Sequence, residues 1–124
     1  MSYTHVIVKM NPVGKNKAVT HIETDLEKNF VLEHIITPYT EGYPVFIAGA
    51  RIESNKVESI RVFESSQEYA EIYRGVKNKA DMQRQSGSAR GVMIMPMAIS
   101  KESAIRSGET KEITRELFNG AQGI

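Results

Sequence analysis

One stretch constrains this chain more than any other: Pro38 to Ser65, PYTEGYPVFIAGARIESNKVESIRVFES. A proline stands where a helix should stop, because the residue before proline is disfavoured in the α region. Gly42 and Pro44 then flank a turn, and Tyr43 to Ala48 is a β-rich run dense in apolar residues. Apolar residues on both parities predict a strand covered on both faces, hence a central one. Gly49 permits a bulge or sharp bend. A turn with Ser54 and Asn55 leads to a second run, Val57 to Phe63. The two runs read as a β-hairpin. In the second run Ile60 and Val62 alternate onto the core face, and Arg61 points the other way.

The flanks extend this grammar in both directions. Tyr3 to Met10 alternates, with Val6, Val8 and Met10 on one face of a strand. Asn11 to Asn16 is a loop by its Pro, Gly and Asn. Ala18 to Glu23 is a shorter strand. Thr24-Asp25-Leu26-Glu27 fits a capping box and predicts a helix from there to about Thr37, with Leu32, Ile35 and Ile36 buried. Ser65 or Ser66 caps a helix from about Gln67 to Gln83, whose Tyr69, Ile72, Tyr73, Val76 and Ala80 share one face. Gln83 to Gly91 is a polar, basic loop. Val92 to Ile99 (VMIMPMAI) is the most apolar run, and Pro96 makes it an edge strand because proline donates no ladder bond. Ser100 caps a short turn, and Lys111 to Asn119 forms a short terminal helix with Ile113, Leu117 and Phe118 on one side.

These elements predict an α+β fold. It is a mostly antiparallel sheet of four or five strands, two main helices on one face and a short C-terminal helix. Residues 1–119 make one domain, and residues 120–124 begin a linker or tail. At 124 residues the chain buries one core without covalent staples. It has no cysteine, so disulfides, thiolate catalysis and Cys-based zinc sites are excluded. That composition fits a cytoplasmic protein. No apolar run approaches the roughly 18 residues of a membrane span. A net charge of +1 provides no strong overall field.

The chemistry-bearing residues form no catalytic or metal motif. His5, His21 and His34 lack the local ligand pairs of zinc sites. Asp25, Glu27 and Glu33 near His34 read as a solvated helix face. Ser86 to Gly91 (SGSARG) lacks the Gly-Lys-Ser/Thr ending of a P-loop and reads as a connector. The expectation is therefore no catalytic residue, no metal and no cofactor. Two interaction surfaces stand out. Met93, Met95 and Met97 share one face of the edge strand, a place for β-addition by a second copy or a protein partner. Arg74, Lys77, Lys79, Arg84 and Arg90 follow Tyr69 and Tyr73, a pattern that suits a nucleic-acid backbone. Arg61, with Arg51 and Tyr39, is a candidate anion contact.

Four segments carry a family resemblance: MSYTHVIV at the start, DLEKNF followed by LEHIITPYTEGYPVFIAGARI, then VESIRVFESS, and finally SGETKEITRELFNG. Together they resemble the N-terminal accessory domain of bacterial proteins that continue into a TIR-like nucleotide-binding or related effector domain. Pro38, Tyr39 and Gly42 match the family's helix end. Val45 to Ile52 matches its strand and Gly turn, Ile60-Arg61-Val62 its next strand, and Gly108 through Thr114 its closing turn. The resemblance implies a non-catalytic sensing, docking or assembly module of an anti-phage defence effector, working through protein–protein contact or oligomerisation. The alternative is a small nucleic-acid-binding module that uses the basic stretch between residues 74 and 90.

Overall fold

The computed structural model describes residues 2–15, 18–87 and 99–121, apart from the side chains of residues 81, 83–87 and 121. Two extended segments near the N terminus pair first. Strand β1 (Tyr3–Met10) runs antiparallel to β2 (Thr20–Leu26). Thr4 faces Leu26 and Val6 faces Glu23, so Thr24 and Asp25 together stand opposite His5. This is a bulge, and Asp25 takes it up with a left-handed φ of 61°. Aspartate tolerates that region better than most residues. The bulge overrides the expected helix start at Thr24: the segment stays in the sheet through Leu26, and Glu27 is extended with no side-chain cap.

The helix begins at Lys28. It runs as α1 (Lys28–Val31), a π turn (Leu32–Ile36) and α2 (Thr37–Thr40). Pro38 was expected to end it and does not. The π turn widens the backbone just before Pro38 and shifts the carbonyl that a proline ring would strike. The proline is the second residue of α2, directly after the π turn, so its missing N–H removes one donor inside a continuous helix. Its carbonyl accepts from Tyr43 N at 2.8 Å.

The hairpin predicted between Tyr43–Ala48 and Val57–Phe63 is a different one. Strand β3 (Val45–Ile47) pairs with β4 (Ala50–Ile52) through the two residues Ala48 and Gly49. Both have left-handed φ, 50° and 77°. That turn matches the right-handed twist of short hairpins, so it closes at Gly49 instead of at Ser54-Asn55. Ser54 to Lys56 is a short 3-10 turn instead. Nor is β3 a central strand: it belongs to a separate two-stranded sheet, and Phe46 is 59% exposed.

Strand β5 (Val57–Ser65) crosses back to pair antiparallel with β1. After α3 (Tyr69–Gly87) and α4 (Lys101–Ser107), the two-residue strand β6 (Lys111–Glu112) joins β5, and α5 (Thr114–Ala121) follows. The main sheet is four-stranded and antiparallel, in the order β2-β1-β5-β6. The fold class is α+β as expected. Ser100 caps α4 as predicted, its hydroxyl accepting from Ser103 N at 3.1 Å.

The helices cover both faces of the sheet, because β1 and β5 are apolar on both parities. Val6, Val8, Ile60 and Val62 face one way. They meet Val31, Ile35 and Ile36, the inner side of the β3–β4 hairpin, and Ile113 and Leu117 of α5. Ile7 and Phe63 face the other way, against Ile105 of α4 with Ile22 and Tyr69 at the edge. Gly108 lets the end of α4 approach α3 closely: a Cβ there would overlap Ile72 and the carbonyl of Ala104.

Candidate functional site

The outer face of the β3–β4 hairpin presents the most exposed aromatic side chain on a fixed strand. The pleat turns Val45, Ile47 and Ile52 into the core and Phe46 and Arg51 outward. Phe46 and Arg51 are direct cross-strand partners. Tyr43, just ahead of the strand, is 62% exposed. Glu23 of β2 accepts from Ala48 N at 3.2 Å and ties the turn to the main sheet. Arg51 pairs with Glu53 at 3.4 Å, both largely exposed, an interaction worth little by itself. Aromatic surface beside an arginine suits the aromatic and acidic groups of a protein partner.

The remaining predicted contacts lie elsewhere. Arg61 is on β5, in the other sheet from Arg51, and holds Glu112 with two bonds, Nε to Oε2 at 3.1 Å and the terminal nitrogen to Oε1 at 2.7 Å. The guanidinium also lies 5.3 Å from the Phe63 ring centre. Its hydrogen bond to Glu112 raises the Arg61 pKa, with burial opposing. The same bond holds the Glu112 carboxyl below the usual range, against a smaller opposing effect of burial, and Thr114 adds a hydrogen bond at 2.9 Å. Tyr39 packs edge-on against Phe118 at 5.9 Å between ring centres.

On α3, Arg74, Lys77 and Lys79 are exposed, and Arg74 pairs with Glu71 at 2.9 Å. The side chain of Arg84, the whole of Arg90, and Met93, Met95 and Met97 lie outside the described residues. Between α3 and the end of α4 is a cleft of about 410 Å³, with Arg74 and Lys79 set among Glu71 and Glu109. Its charges are mixed in sign. Tyr69 is engaged: its ring packs on the Ile7–Phe63–Ile105 cluster and carries Lys101 at 5.5 Å. Burial raises its phenol pKa, with the neighbouring Tyr73 adding to the effect.

A third cluster escaped the sequence reading. His5 is fully buried, with Ser65 and Asp25 beside it. Its Nδ1 accepts from the backbone N–H of Asp25 at 3.2 Å. Ser65 Oγ lies 2.8 Å from Nε2 and donates its own proton to the carbonyl of Gln67 at 2.5 Å. Nε2 must therefore carry the ring proton and donate to Ser65. This resembles a Ser-His-Asp triad only in composition. In such a triad the proton sits on the nitrogen facing Asp, and Ser donates to His. Here both directions are reversed, so the group is a structural tie. The carboxylate of Asp25 instead accepts from Tyr69 N at 2.7 Å and caps α3. No spacing among positions 5, 25 and 65 signals this. Only the fold brings three strands' ends together.

Among the described residues, no cluster of His, Asp and Glu is arranged to hold a metal, and no helix is long and apolar enough to cross a membrane. Comparison with family models, curated proteins and solved structures finds no match to this chain.

Proposed function

We infer that this domain is a non-catalytic accessory module of a bacterial defence effector that works by protein–protein contact through the outer face of the β3–β4 hairpin. The observation that carries the contact surface is Phe46, 59% exposed and directly opposite Arg51, on a hairpin whose two turn residues are both left-handed. Short hairpins of this kind lose little freedom on binding, so an exposed aromatic there is presented ready for a partner. The link to a defence effector rests on the family resemblance of the Pro38 to Val62 block.

Two measurements on the native polypeptide test this. Its intact mass from source cells is expected well above 13.9 kDa, with further domain sequence attached. Its assembled mass by light scattering is expected to fall in Phe46→Glu, while the urea-unfolding free energy stays within about 0.5 kcal/mol of the parent, as for an exposed substitution. A native mass near 13.9 kDa removes the effector reading. An assembly unchanged by Phe46→Glu removes this surface.

A further inference from the structure

The His5 cluster joins three elements through one imidazole. His5 is on β1; its Nδ1 holds the bulge of β2 through Asp25 N, and its Nε2 holds the end of β5 through Ser65. The bulge residue in turn caps α3 through its carboxylate. The Nδ1 bond requires the ring neutral, because an accepting nitrogen carries no proton, whereas the Nε2–H bond to Ser65 is compatible with either state. A second proton on Nδ1 would point at the Asp25 N–H, donor against donor, inside a fully buried site. The carboxylate beside that proton is Asp25's, 4.0 Å away and 40% exposed, and it is engaged with Tyr69 N.

We propose that His5 is a proton-operated latch on the first turn of α3: a second proton on its ring expels the Asp25 amide, draws the Asp25 carboxylate off Tyr69 N, and frees the α3–α4 layer from the sheet. The architecture makes this opening local. The face under α3 and α4 is built on Ile7, Phe63 and Ile105, whereas the opposite face carries the large cluster from Val6 to Leu117. The thinner layer belongs to the low end of the range of opening free energies.

The surroundings set the direction. From β2 the charged group facing His5 is Asp25; from β5 the facing group is the neutral Ser65. From α3 and α4 come the neutral Tyr69 ring with Lys101 above it, and Glu68 lies just before α3, 3.5 Å from the Tyr3 hydroxyl. Burial holds His5 below its ordinary pKa, against the attraction of Asp25. The opened state, with the ring in water beside Asp25, regains affinity for the proton. Opening therefore costs the same at every pH above about 6.5 and becomes easier below it, until the folded pKa is reached.

The test is amide hydrogen exchange between pH 5 and 7.5, expressed as protection factors, together with NMR titration of the histidine rings. Protection at Tyr69 and Ile72 is expected to fall about tenfold per pH unit below about 6.5 and to level off where the His5 ring itself titrates, while β1–β5 ladder amides hold. His5→Gln should flatten the profile; His21→Gln and His34→Gln should keep it. A flat wild-type profile, ladder amides falling alongside, or a slope surviving in His5→Gln would each overturn the latch. If His5→Gln does not fold, the wild-type comparison of α3 amides, ladder amides and ring titration decides alone.

Discussion

Arg61 and Glu112 show how a residue's partner can be chosen by register and still contribute little. Phe63 stands opposite Glu112 in the β5–β6 pair, which brings Glu112 within reach of Arg61, two residues before Phe63. The two-pronged geometry is good, yet the side chains are 38% and 39% exposed, so water and salt screen the pair. Glu112→Gln is expected to lower the urea-unfolding free energy by about 0.2–1 kcal/mol at pH 7. The sign with pH follows from the lowered carboxyl. Its contribution is complete above about pH 4.3, the ordinary glutamate pKa, and disappears as pH falls through the folded value. The difference between parent and variant should therefore close below pH 4. The alternation of β5 was legible and put Arg61 opposite Ile60 and Val62. Its carboxylate partner was not, because β6 is two residues long and Lys111, paired with Glu64, lies 47 positions after it, beyond the intervening helices.

Short elements here are decided by turn chemistry more than by propensity. Ala48-Gly49 closes the β3–β4 hairpin with φ of 50° and 77°. Asparagine at the first position and glycine at the second suit that turn best. Ala48→Asn is expected to raise the unfolding free energy by up to about 1 kcal/mol, read from the urea midpoint, by removing the cost of a left-handed alanine. The composition of GAR between two apolar runs carried the signal, and Gly49 was recognised as a bend. Ser54-Asn55 offers a competing turn in the sequence, but it folds as a 3-10 turn, and the left-handed pair at Ala48-Gly49 makes the bend the hairpin itself. Helix ends failed for a related reason. Thr24 to Glu27 has capping chemistry, but the same residues complete the β1–β2 ladder opposite Thr4 and His5, and the ladder bonds won. Pro38 has the chemistry of a stop, and the π turn before it removes the clash.

Across the molecule, β1 and β5 are the common wall of two cores of unequal size. Ile35 sits in the larger one, fully buried in the π turn, in a cluster it shares with residues of the sheet, the hairpin and α5. Ile35→Ala is expected to cost about 2–5 kcal/mol of global stability in denaturant unfolding, with every element melting together. The opposite layer should answer differently, opening locally with pH as argued for His5. Phe46 lies outside both cores, which is why its substitution is expected to alter association and leave stability nearly unchanged.

Alternation along Tyr3–Met10 and Val57–Ser65, helical spacing after Ser66, and the Ser100 cap are local facts, and they were enough to establish an α+β domain with these strands in its core. Which strand lies beside which, that both faces are covered, and that His5, Asp25 and Ser65 meet at one imidazole were settled only by the folded chain. The reason is physical. Period and turn residues report the free energy of neighbours a few positions apart, whereas pairing across 60 positions, as between His5 and Ser65, is set by burial of whole faces that no short window contains.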